Sequence, residues 1–183
     1  MESQTTSQLS AVRIPPDRES ELIWLAFLLT GDMSLSGDVV GGALNAPVRC
    51  CRKLVIARAL DKVRMALTAS ARRIRLRVQN STDGDQLPPP TWSAGREVNR
   101  SQFEDALLAI DIFPRCSLLL RIFEKIATED AVLLLNAEAQ LVESATAIAL
   151  NELAWNIAIG QDWSPIEATA GAPLVQKQDA VLA

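Results

Sequence analysis

The chain has 183 residues, is 49% hydrophobic but only 4% aromatic, and carries a formal net charge of −4 with no histidine at all. That length suffices for one ample domain or two small ones. The missing histidine excludes Ser/His/Asp and Cys/His catalysis and any His-containing zinc site. Cys50 and Cys51 are adjacent and Cys116 stands apart, an odd set that fits reduced thiols better than a disulfide framework or a metal cage. Gly31, Gly37, Gly41 and Gly42 lack the lysine and spacing of a phosphate-binding loop. The expectation is no enzyme, no cofactor and no metal. No apolar run reaches the roughly 18 residues of a membrane span, and no basic leader opens the chain, so a cytoplasmic protein without membrane association is expected.

An aliphatic composition with few glycines favours an all-α fold over a sheet. Residues 1–16 are polar and Ser/Thr/Gln-rich and read as a flexible arm ended by Pro15 and Pro16. A first helix, capped by Asp17 or Ser20, runs through Leu29, and Thr30-Gly31 closes it. A second helix over residues 35–44 contains Gly37, Gly41 and Gly42, each costing about 1 kcal/mol relative to Ala. Pro47 ends it.

A long basic helix is expected over residues 48–78, with Ile56, Leu60, Val63, Leu67, Ile74 and Val78 as its buried seam. Ten cations lie between Arg49 and Arg77, namely Arg49, Arg52, Lys53, Arg58, Lys62, Arg64, Arg72, Arg73, Arg75 and Arg77, against the single acid Asp61, a net of +9. A solvated helix face is the ordinary reading of a charge run. One this one-sided also makes these ten the candidate nucleic-acid contacts. Residues 79–100 read as a linker containing Pro88-Pro89-Pro90, with Trp92 able to pin it to a neighbouring surface. The division is thus two small helical domains, 17–78 and 101–160.

In the second, Phe103, Leu107, Ile110 and Phe113 share a helical face, and Pro114 suits the first turn of the next helix. Thr128 is the expected N-cap of a short helix that ends at Asn136, a residue tolerant of a left-handed turn. A longer helix follows, which gives a helix-turn-helix layout. The expected buried side comprises Phe103, Leu107, Phe113, Leu119, Ile122, Phe123, Leu135, Leu141 and Leu153. Residues 161–183 read as an irregular tail, docked back by Trp163.

Three stretches in this order resemble the extracytoplasmic-function type of bacterial RNA polymerase sigma factor. They are Leu25-Ala26-Phe27-Leu28-Leu29-Thr30-Gly31-Asp32 with Gly37-Asp38-Val39-Val40 and Ala43-Leu44; Arg52-Lys53-Leu54-Val55-Ile56-Ala57-Arg58-Ala59-Leu60-Asp61-Lys62-Val63-Arg64; and Phe113-Pro114-Arg115-Cys116 through Asn156. The resemblance implies that Asp38, Val39 and Val40 dock on the RNA polymerase core and that the basic helix meets promoter DNA. It implies a role in transcription initiation or its regulation. Gly41 and Gly42 stand where that family usually has Gln-Glu, and no Phe, Trp or Tyr lies between Phe27 and Trp92 to stack on melted bases. Residues 1–100 hold 14 basic and 10 acidic groups, net +4, and residues 101–183 hold 4 and 12, net −8. A second domain so acidic suits phosphate poorly. The alternative expectation is therefore a module that binds only protein, an anti-sigma partner or another copy of itself, with the acidic half folded back on the basic helix.

Overall fold

A computed structural model describes residues 16–46, 51–80 and 97–160, and among them there are helices and no strand. The all-α expectation holds. The arm, most of the linker with Trp92, the tail with Trp163, and Arg49 lie outside the described residues.

Helix α1 (Pro16–Thr30) ends where Gly31 adopts φ +74 and its N–H returns to the Phe27 carbonyl at 2.7 Å. Asp32 then caps α2 (Met33–Leu44), accepting from the Ser34 and Leu35 amides at 2.8 and 3.1 Å. The corner is closed from inside by the buried hydroxyls of Thr30 and Ser36, 3.2 Å apart, with Ser36 also donating to the Asp32 carbonyl.

The long basic helix is present as α3 (Cys51–Lys62) and α4 (Arg64–Asn80), separated by the one turn residue Val63. Val63 donates to the Ala59 carbonyl and accepts from the Leu67 amide, so it ends one helix and starts the next, and the expected single helix is a two-part basic rod joined at this residue. The expected seam is buried from Ile56 to Ile74, while Val78 at its end is 36% exposed.

Helix α5 (Arg100–Leu108) starts with a reciprocal capping box between Asn99 and Gln102. Asp111 opens α6 (Ile112–Leu118), with Pro114 in its first turn as expected. A π-turn (Leu119–Phe123) follows, then α7 (Thr128–Leu135) and α8 (Ala139–Ile159). Asn136 sits in the left-handed region at φ 51, and the α7 and α8 axes cross at 95°. The helix-turn-helix shape is thus made as the sequence implied. Its N-cap is Ala127 rather than Thr128, which becomes the first helical residue.

Helix α3 packs on α1 and α2, and α4 packs on α6 and α8; α5 lies on α8, and α1 reaches α5 and α6. Because the rod belongs to both groups, residues from 17–78 and 101–160 join one hydrophobic cluster rather than two separate cores. Of the expected inner residues, Leu107, Phe113, Leu119, Leu135, Leu141 and Leu153 are buried and Phe103 is half-buried. Ile122 and Phe123 are not core residues: they are 47% and 44% exposed. The π-turn is the reason. Its Glu124-to-Leu119 bond spans five residues, so the wider turn slips the register after Leu120 and swings the next apolar pair outward.

Candidate functional site

Nine of the ten candidate nucleic-acid contacts hang on the rod, so their neighbours are decided by what the rod packs against. On α3, the Arg52 guanidinium donates twice to Glu124, from Nε and Nη2, both at 2.6 Å. This fork-to-carboxylate geometry is the strong form of the interaction, and the hydrogen bond to Glu124 is the main cause that raises the Arg52 pKa. Arg64, the first residue of α4, donates to the Leu134 carbonyl in the last turn of α7 at 3.1 Å. A cation there meets the negative end of the α7 dipole.

Further along α4, Arg73 forks onto Asp111 at 2.8 to 3.2 Å, Arg75 reaches Glu138 at 3.0 Å, and Arg77 reaches Glu152 at 2.7 Å. Spaced two apart, these arginines straddle the buried line of Leu67, Ser70 and Ile74. One flank therefore meets the start of α6 and the body of α8, and the other flank meets the start of α8. Asp111 does two jobs, since it also accepts from the Ile112 amide at 2.8 Å. Burial pushes its pKa up, but the hydrogen bonds from Arg73, the Ile112 amide and Ser70 outweigh this and hold it below the ordinary value.

Arg49 lies outside the described residues. Lys53, Lys62 and Arg72 face solvent, with no ion pair among the described residues. Arg58 is half-buried and lies over Gly42, where an added Cβ would collide with its guanidinium. Arg58 and Lys62 line a shallow cleft between α2 and α3 together with Asp38, Val39 and Asp61.

The expected polymerase-docking trio divides. Asp38 is exposed, but Val39 and Val40 are core residues, 2% and 1% exposed, because α2 turns that side toward α1 and α3. They offer no docking surface. The base-reading candidates on α8 fare similarly. Asn156 donates to the Ala106 carbonyl at 2.9 Å and so helps hold α5, and Asn151 is half-buried with an unpartnered oxygen. Gln140 alone is exposed.

Arg115, which sequence reasoning did not single out, is only 6% exposed. It donates to the Leu108 and Ile110 carbonyls at 3.1 and 3.3 Å, closing the end of α5, and its Nη2 lies 3.2 Å from where a Gly31 side chain would begin. Burial lowers its pKa. The neighbouring Cys116 thiol is pushed up to about 12 by burial and points at the Leu29 carbonyl, so it is unsuited to nucleophilic chemistry. The sequence signal for this pair was thin: an Arg-Cys dipeptide in a mostly apolar run.

No group of His, Cys, Asp and Glu suited to a metal ion occurs among the described residues. No single described helix is long and apolar enough to cross a membrane; α7 and α8 together are, but they are bent by 95°. Comparison with family models, with curated proteins and with solved structures finds no significant match.

Proposed function

We propose that this chain is a sigma-factor-like helical module that acts through protein contacts in bacterial transcription initiation or its regulation, without binding DNA. The observation that carries the DNA-free part is the commitment of Arg52, Arg73, Arg75 and Arg77 to carboxylates of residues 101–160. DNA affinity comes largely from cations that neutralise phosphates and release counterions. These four already have carboxylates 2.6 to 3.0 Å away, and the same carboxylates would stand beside any phosphate that replaced them and repel it. The sigma-like part rests on the three sequence stretches and on the 95° helix pair. Its implied partner is the RNA polymerase core, with an anti-sigma protein or a second copy as the other candidates.

A second reading, DNA binding through the first half of the chain, draws on the outward Lys53, Lys62 and Arg72. Fluorescence anisotropy of a labelled duplex titrated with the full chain at low salt separates the two. The protein-only reading expects no complex at concentrations on the order of 10⁻⁵ M, where ordinary non-specific binders are bound. Binding that fades steeply with added salt sinks it in favour of the second reading. Reconstitution with purified core polymerase tests the implied partner directly.

A further inference from the structure

We infer that the face around Phe123 is a self-association surface on which α7 of a second copy of this chain docks, an inference that rests on the protein-contact reading above. The chain has only 4 Trp and 4 Phe, and Phe113 is the one aromatic side chain fully buried among the described residues. Three of the others gather half-exposed on one face. Phe103 and Phe123 meet edge-on with ring centroids 5.6 Å apart. Arg100, one turn before Phe103, lies 5.0 Å over the Trp24 ring, and the Trp24 Nε1 donates to Glu104 at 2.6 Å. The π-turn adds Ile122 beside Phe123. Aromatic and arginine anchors within an apolar patch are the usual makings of a protein-binding hot spot.

The charges around this patch are layered. The Arg52 and Arg100 side chains are 51% and 70% exposed, whereas their partners Glu124 and Glu104 are 9% and 23% exposed. Outward, the face shows aromatic carbon flanked by the two guanidiniums, with Glu124 and Glu104 less exposed than their partners and Glu21, near Arg52, as an exposed acid beside them. Its complement is an exposed aliphatic side chain flanked by carboxylates. Helix α7 supplies one: Leu133 is 77% exposed, and exposed Asp130 and Glu129 precede it by three and four residues, on the same helical face. Helix α7 begins five residues after Phe123 and packs against the π-turn, so donor helix and acceptor face are neighbours in one protomer. A two-fold arrangement then seats each α7 on the other copy's face, a closed and self-complementary contact.

Sedimentation equilibrium of the full chain from about 1 to 200 µM tests this, a range that brackets ordinary micromolar association. The expected result is a concentration-dependent dimer. Phe123→Glu sets a carboxylate against the incoming acidic α7, and Leu133→Lys sets a cation against Arg52 and Arg100. Each variant should weaken dimerisation by at least about tenfold, the scale of a hot-spot loss, with unchanged far-ultraviolet dichroism. Mixed one to one, the two should associate again, because one contact is then native and the other pairs the new Glu with the new Lys. A wild-type chain that is monomeric throughout overturns the inference, as do variants that dimerise normally or a mixture that stays monomeric. The DNA titration above remains separate: a monomer that ignores DNA removes self-docking alone, and a dimer that binds DNA removes the protein-only reading alone.

Discussion

Helices α3 and α4 are two lengths of one basic rod, and they meet different fates. α3 lies on α1 and α2, where, among the described residues, only Arg52 finds a carboxylate from the second half, and Lys53 and Lys62 stay outward. α4 lies on α6 and α8, and three of its arginines are paired by Asp111, Glu138 and Glu152. A charge run therefore says how many cations a helix carries and nothing about how many remain available. Availability is set by the acids on whatever the helix packs against. Exposed pairs of this kind are individually weak, so α4 is held in place by its buried Leu67, Ser70 and Ile74, and the pairs follow from that packing.

The largest expected effects test whether the two lengths share one core. Leu60 on α3 and Leu67 on α4 are 0% and 1% exposed. Truncating either to Ala should cost about 2–5 kcal/mol through lost transfer energy and the cavity left behind. Both variants should still unfold in one transition by thermal denaturation monitored by circular dichroism. Two separated transitions, with Leu60→Ala moving only one of them, would divide the rod between independent domains after all. Ile122→Ala is the control, and at 47% exposure it should cost less than about 1 kcal/mol.

Next come the glycines, where the sequence shows the residue but not its backbone. Gly31 sits at φ +74 with the Arg115 guanidinium close by, so Gly31→Ala should destabilise by about 1–2 kcal/mol. Gly37 and Gly41 lie in the interior of α2 with open space where a side chain would be. Gly37→Ala and Gly41→Ala should each stabilise by about 0.5–1 kcal/mol. Chemical denaturation midpoints read both signs, and stabilisation by Gly31→Ala would mean the α1 terminus is misjudged.

Those contrasts also mark what sequence reading could reach. Periodicity found the seam from Ile56 to Ile74 and the apolar side of α8, because regular helices place every third or fourth residue inside. Asn136 was legible because few residues tolerate its left-handed geometry. The method failed at Ile122 and Phe123, where a five-residue hydrogen bond breaks the very period being counted. It failed at Val39 and Val40 for another reason: a family's surface motif was laid on residues that this packing turns inward. As for the candidate interface, the excess of charge was readable but the pairing was not, since Arg73 and Asp111 are 38 residues apart.

The smallest effects discriminate between two ion pairs on α4 itself. The Arg73–Asp111 pair is a fork onto a carboxylate that also caps α6, with side chains 61% and 36% exposed; the Arg75–Glu138 pair is a single contact with 49% and 76% exposed. A double-mutant cycle should give the first a coupling near the top of the 0.2–1 kcal/mol typical of surface pairs and the second one near the bottom. Acid sharpens the difference. The folded pKa of Asp111 lies below its ordinary value, so its contribution is complete above about pH 4, the unfolded carboxylate range, and is lost as pH falls through the lower folded value. Asp111→Asn should therefore flatten the part of the stability curve below about pH 4, whereas Arg75→Ala should shift that curve with little change of shape. An Asp111→Asn protein with an unaltered acid limb would mean that Arg73 does not hold this carboxylate in solution, and that Arg73 stays outward as Lys53 and Lys62 do on α3.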